Sequence, residues 1–339
     1  GPPLATRIRR STLINLLLTE SSYNDMAADL AVHQQRITIV RLQADGSLKV
    51  NGDTVSAEQY PIHATWFSLD IIKNKQFGPF IKLVTSAPDL QWMQSVTAGL
   101  DAPFFKQVFD QGVRLSNSDA QAPAIAEYVV SAILSHYQKF AERAQHQANA
   151  QWQDTHFQEI HGSRWLIVGL GNIGQRVGQI ARGFEAHVTG VKRAPSQHPH
   201  ADQVITYSEI AEHLPQADVV VLACALTEQT RHLFDAKMLR LMKPTSVLVN
   251  IARGGVVDEP ALIQVLDEGL IDHAVLDVFE VEPLPGDSPL WQHPRVMLTP
   301  HSSNRGNGTG HRGQLLFLAN LTAFLDNKPL KNAVTENSF

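Results

Sequence analysis

Three side chains in the C-terminal half of this sequence have the types needed to hold an anion and move a proton: Arg253, Glu282 and His301. Each comes after an apolar run that reads as a strand. Arg253 follows Ser246–Asn250, Glu282 follows His273–Asp277, and His301 follows Val296–Leu298. Open α/β sheets bind ligands outside the carboxyl ends of their strands. Parallel strands would therefore bring an arginine, a carboxylate and a histidine to one edge. The matching chemistry is carbonyl reduction. A hydride that reaches a keto carbon leaves an oxygen that needs a proton. Histidine, with an ordinary pKa of about 6.5, is the natural donor. A carboxylate beside an imidazole favours its protonated form, and arginine grips a carboxylate through two parallel hydrogen bonds. Gly254 and Gly255 follow Arg253 and are expected to let a ligand approach closely. Glu280 competes with Glu282 for the carboxylate role, and the position just before Pro283 favours Glu282.

A second motif supplies a site for the hydride carrier. Gly169, Gly171 and Gly174, with Asn172 and Ile173 between them, form a G-x-G-x-x-G run after the strand-like Trp165–Val168. The first glycine permits the tight turn, the second lets backbone approach a pyrophosphate, and the third lets helix pack on strand. The helix then presents free N–H groups to the phosphates. An NAD-specific site usually carries Asp or Glu at the end of the next strand, here His187–Val191. Lys192 and Arg193 stand there instead, with no acidic residue between Ala186 and Ala201. Two cations favour a 2′-phosphate, so NADP(H) is expected over NAD(H).

The elements that must place these residues are legible as a pattern. From Arg164 onward, apolar strand candidates at Trp165–Val168, His187–Val191, Ala217–Ala223, Ser246–Asn250, His273–Asp277 and Val296–Leu298 alternate with helical segments, notably Ile173–Arg182 and Glu259–Glu268. Continuous apolar runs suit parallel strands buried on both faces, so a doubly wound Rossmann sheet is predicted. Residues 12–112 read as a smaller α/β domain, with strands at Thr12–Leu18, Ala64–Leu69 and Phe80–Thr85. Pro123 opens a single long helix over Ala124–Ala150, and a last amphipathic segment spans Leu315–Leu325.

Bulk properties exclude other classes. With 339 residues, 43% hydrophobic and 18% charged, the chain can bury two cores. A net charge of −5 argues against a general nucleic-acid binder. No apolar run reaches the roughly 18–20 residues that cross a bilayer, and Leu13–Leu18 is too short for a signal peptide. Cys224 is the single cysteine, which predicts a reducing cytoplasm and no internal disulfide. Gly1-Pro2 reads as a remnant of tag cleavage. None of the 15 histidines has convincing metal-ligand spacing with cysteine or carboxylate, so no metal is expected.

With Gly169–Gly174, Asn250–Asp258, Leu276–Pro283 and Thr299-Pro300-His301 in this order, the sequence resembles the D-isomer-specific 2-hydroxyacid dehydrogenases. The run Ser288–Pro294 before Thr299 looks most like the glyoxylate/hydroxypyruvate reductase branch. The resemblance implies reduction of a small 2-oxo acid to the D-2-hydroxy acid. Arg253 would orient the substrate, and His301 with Glu282 would be the acid/base pair. Ala98 and Gly99 would bind the substrate carboxylate through backbone N–H groups, with Trp291 as a pocket wall or a lid or dimer contact. Asp277 would face the nicotinamide. Ala223, Cys224, Thr230, Ile251, Ala252, Arg253 and Ser303 would join the glycine loop, Lys192 and Arg193 around the cofactor. Two departures stand out: Ala225 and Glu228 occupy usual proline positions, and Lys192 occupies that of the ribose-binding Asp. The resemblance further implies a flavodoxin-like substrate domain made of 4–112 plus 306–339, a cofactor domain over 113–305, and a homodimer. Trp66 and Phe67 read as core with a secondary claim to the substrate pocket. The competing functions are a dinucleotide-sensing co-repressor-like protein and a phosphite- or formate-type dehydrogenase.

Overall fold

The computed structural model describes residues 13–194 and 196–339. Gly1-Pro2, the opening of the first domain at 4–12 and the Thr12 start of the first strand lie outside the described residues. The chain divides into two compact units, residues 1–120 with 310–339 and residues 121–309.

The first unit is built on seven strands: β1 Ile14–Thr19, β2 Ile37–Leu42, β3 Leu48–Val50, β4 Asp53–Val55, β5 Ala64–Phe67, β6 Trp92–Ser95 and β7 Arg114–Ser116. Their order is β4-β3-β2-β1-β5-β6-β7. The five strands β2-β1-β5-β6-β7 are parallel and doubly wound, and the antiparallel β3–β4 hairpin extends one edge. Because β7 pairs with β6, residues 113–120 belong to this unit and not to the cofactor domain. Phe80–Thr85 is not a strand but part of a helix, Phe77–Thr85. Phe80 and Val84 are its buried residues, one turn apart, and a short apolar run does not by itself separate that pattern from a buried strand. The terminal helix Thr309–Leu325 covers the opposite face, where Phe317 stacks on Trp66 and Trp92 at 4.9 and 5.7 Å. Trp66 and Phe67 are both core.

The second unit carries β8 Arg164–Val168, β9 His187–Val191, β10 Gln203–Ile205, β11 Val219–Leu222, β12 Val247–Asn250, β13 His273–Leu276 and β14 Val296–Leu298. All are parallel, in the order β10-β9-β8-β11-β12-β13-β14. Successive side chains serve two cores. Leu166, Val220 and Leu248 join one cluster, while Ile167, Val221 and Val249 join the other. This two-sided burial explains the unbroken apolar runs. The expected long helix is two, Ala122–Tyr137 and Phe140–Ala148, separated at Lys139 with φ 55°. Neither glycine nor proline marks that break.

His136, at the end of the first of these helices, stacks on His273 with ring centroids 4.0 Å apart, and its Nε2 lies 2.6 Å from Asp272. Burial pushes the His273 pKa down from 6.5 to about 4. Unfolded chains take up this proton near pH 6.5 but the native state does not until about pH 4. Acidification across that window therefore favours unfolding. A His273→Val protein should lose less stability than wild type between those pH values, by at most about 3 kcal/mol. Urea melts at both ends of the window measure it, and parallel losses would refute the assignment.

Candidate active site

Parallel β8, β11, β12, β13 and β14 deliver five turns to one edge of the second sheet. The winding reverses at β8, between β9 and β11, which is where doubly wound folds bind ligands.

The first turn carries the glycine motif. Gly169 has φ 98°, and Gly171 leads into the helix Asn172–Gly183 with no side-chain cap. A Cβ on Gly174 would lie 1.8 Å from the Gly169 carbonyl oxygen and 3.2 Å from Ile167 Cγ2, so this glycine lets the helix seat on β8. A Cβ on Gly171 would meet nothing within 4 Å. An uncapped helix start beneath open space fits a pyrophosphate.

After β9, Lys192 Nζ donates to Ser196 Oγ at 3.0 Å, and Arg193 is exposed. After β11, Ala223 N–H donates to Val168 O at 2.9 Å, and Cys224 is buried with its thiol pushed up to about 11. Thr230 Oγ1 donates to Ala225 O at 2.6 Å and accepts Thr227 N–H at 2.8 Å. This clasp closes the turn in which Ala225 and Glu228 stand.

Asn250 ends β12 and shapes the arginine turn. Its Oδ1 accepts Ala252 N–H at 3.1 Å, and its Nδ2 donates to Arg253 O at 3.0 Å. Ile251 and Ala252 are buried, and Arg253 NH1 donates to Ala252 O at 2.7 Å. Of the glycines after Arg253, Gly254 serves packing. A Cβ on Gly254 would sit 1.9 Å from Phe279 C, and one on Gly255 would sit 3.3 Å from a Leu226 methyl.

The two candidate glutamates have different partners. Glu282 Oε2 lies 2.7 Å from His301 Nδ1, and its Oε1 accepts Phe279 N–H at 3.0 Å. Glu280 Oε1 lies 2.9 Å from His232 Nε2, while Glu280 N–H donates to Glu259 at 3.1 Å. His301 is 46% exposed at its side chain, so its ring stays open to a ligand while Nδ1 is engaged. Asp277, expected to face the nicotinamide, turns its carboxylate to the 299–303 turn, where it binds Thr299, Ser302 and Ser303. Ser303 is correspondingly buried. Trp291 is 49% exposed and donates its indole N–H to Pro285 O at 2.9 Å.

In the first unit, Asn117 Nδ2 and Thr97 Oγ1 hold the carbonyls of Ala98 and Gly99 at 2.8 and 2.7 Å. The sequence reading missed Tyr128, whose hydroxyl lies 2.6 Å from Thr299 Oγ1 across 171 residues of chain. Nothing local to Tyr128 signals that contact. Among the described residues no group of three His, Cys, Asp or Glu could hold a metal ion, and no helix is long and apolar enough to cross a membrane.

A doubly wound sheet with a glycine-rich turn at its switch point and a His–Glu pair on the turns after β13 and β14 defines a dinucleotide-binding oxidoreductase. A family model described as D-isomer specific 2-hydroxyacid dehydrogenase, NAD binding domain, matches residues 130–303. The hydroxyphenylpyruvate reductase of Plectranthus scutellarioides is 31% identical over 271 residues, which cover 78% of this chain and 84% of that one. The glyoxylate/hydroxypyruvate reductase B of Escherichia fergusonii is 36% identical over 217 residues, 62% of this chain and 67% of the other. Among solved structures, a D-isomer specific 2-hydroxyacid dehydrogenase family protein from Aeromonas salmonicida aligns with a TM-score of 0.76 at 30% identity, covering 95% of this chain and 99% of that chain. The chain belongs to the D-isomer specific 2-hydroxyacid dehydrogenase family.

Proposed function

We propose that the protein reduces a small 2-oxo acid of the glyoxylate or hydroxypyruvate type to its D-2-hydroxy acid, with NADPH preferred over NADH. The carrying observation is the 2.7 Å contact between His301 Nδ1 and Glu282, which leaves Nε2 as the ring's other proton site. A bound reduced nicotinamide supplies the hydride. His301 gives its Nε2 proton to the carbonyl oxygen, and Glu282 stabilises the cationic ring before the proton leaves. Arg253 holds the substrate carboxylate. The glycine turn holds the pyrophosphate at the helix start, and the turns at Ala223–Cys224 and Ile251–Ala252 flank the dinucleotide. Relatives named glyoxylate/hydroxypyruvate reductase support the substrate class. A homodimer in the cytoplasm completes the reading, the latter in keeping with a lone buried thiol.

Steady-state reduction of a 2-oxo acid panel with each cofactor tests the proposal. Glyoxylate and hydroxypyruvate with NADPH should give the highest kcat/KM. Cofactor binding without turnover of any acid would instead favour a dinucleotide sensor. Lys192→Ala should weaken NADPH binding about tenfold, the value of one charge-assisted contact to a 2′-phosphate, and leave NADH binding unchanged. Fluorescence titration reads both, and equal loss for the two cofactors would refute the role of Lys192.

A further inference from the structure

The turn that carries His301 hangs on one buried carboxylate. Asp277 is 1% exposed and follows directly on β13. Its Oδ1 accepts the Thr299 hydroxyl at 2.6 Å and Ser302 N–H at 2.8 Å. Its Oδ2 accepts Ser303 N–H at 3.1 Å and the Ser303 hydroxyl at 2.5 Å. Its backbone carbonyl accepts His301 N–H at 2.9 Å. Within this cage His301 has φ 49°, a left-handed conformation that a non-glycine residue keeps only where its surroundings impose it.

A second layer stands behind the cage. The Tyr128 hydroxyl, on the helix Ala122–Tyr137, lies 2.6 Å from Thr299 Oγ1. Valence sets the direction of these bonds. A carboxylate only accepts, so the single Thr299 proton goes to Asp277. The Thr299 oxygen therefore accepts from Tyr128. Burial pushes the Tyr128 phenol upward, which keeps it a donor. The chain of donors thus runs one way, and each bond polarises the next.

We propose that Tyr128, Thr299 and Asp277 form a positioning relay that fixes the backbone of His301, so that its ring meets Glu282 and presents Nε2 for proton transfer. The relay rests on the reading of His301 as the acid. Its members act through His301 and not on substrate.

The test compares Tyr128→Phe, Thr299→Ser and Thr299→Val in wild-type and His301→Gln backgrounds. With glyoxylate and NADPH, Tyr128→Phe should lower kcat about tenfold, as the loss of one positioning hydrogen bond does. KM and NADPH affinity should stay within about twofold. Thr299→Ser, which keeps the hydroxyl, should match wild type, and Thr299→Val should fall at least as far as Tyr128→Phe. In His301→Gln protein, Tyr128→Phe should cost nothing more, because the residue it positions is gone. A readout without substrate or cofactor is the ring Nδ1 proton of His301 in the NMR spectrum, assigned by its absence from His301→Gln. It should be sharp in wild type and broadened by exchange in Tyr128→Phe. Unchanged kcat with an unchanged resonance overturns the relay, and so does an equal fold-loss in both backgrounds. If wild type reduces no 2-oxo acid, the functional reading falls, and the resonance alone still decides the relay.

Discussion

Replacing His301 by glutamine should lower kcat for 2-oxo acid reduction by about 10²–10⁴-fold, the range for loss of a general acid. The expectation follows from how the ring is held. Nδ1 is engaged with Glu282 Oε2 at 2.7 Å, and the side chain is partly open to solvent. Glutamine is similar in size and can still hydrogen-bond to Glu282. Its amide does not give up a proton at neutral pH, so what is lost is proton delivery. NADPH affinity should stay within about twofold, since the glycine turn and Lys192 are untouched. Steady-state kinetics with a parallel fluorescence titration separates the two effects. Turnover near the wild-type rate would show that the proton comes from elsewhere.

The second large effect is expected at Gly254, a residue with no chemistry of its own. A Cβ there would lie 1.9 Å from Phe279 C, 2.0 Å from Phe279 O and 2.3 Å from Glu280 N. These are backbone atoms, so no side-chain rotation relieves the clash. The arginine turn and the 279–282 turn would have to separate. The first carries Arg253, and the second carries Glu282, whose Oε1 is held by Phe279 N–H. Gly254→Ala should therefore cost stability and activity together. Overpacking of this kind is destabilising by about 3 kcal/mol, which lowers the melting midpoint by about 6–12 °C in a domain of this size. A displacement of about 1 Å between catalytic groups lowers kcat/KM on the order of 100-fold. Scanning fluorimetry and kinetics on one preparation check both. A variant that melts and turns over like wild type would show that the two turns are not coupled through Gly254.

Neighbouring contacts make that coupling specific. Glu280 and Glu259 exchange backbone bonds, Glu280 N–H to Glu259 Oε2 at 3.1 Å and Glu259 N–H to Glu280 Oε1 at 3.3 Å. His232 Nε2 meets the same Glu280 oxygen at 2.9 Å, and His232 N–H donates to Gly255 O at 2.7 Å. Two short turns that are distant in sequence thus behave as one support for Arg253 and Glu282. Glu280 belongs to that support, and Glu282 faces His301.

By itself the sequence determined what depends on short-range pattern. Strands buried on two faces are largely apolar, so β8, β9, β11, β12, β13 and β14 are legible as mostly apolar runs. Parallel winding then places Arg253, Glu282 and His301 at one sheet edge without any knowledge of contacts. The glycine turn is legible because each glycine answers a local demand on space. Periodicity fails where two structures satisfy the same short pattern, as in Phe77–Thr85, and where a helix breaks without glycine or proline, as at Lys139. It is silent on contacts between distant segments. The position before Pro283 already favoured Glu282 over Glu280, and the structure sets it against His301; only the tertiary structure decided that Gly254 faces protein and that Asp277 and Tyr128 stand behind the histidine turn. Those outcomes are set by which atoms fill one another's space and hydrogen-bonding capacity once the sheet has assembled, and no spacing along the chain encodes that locally.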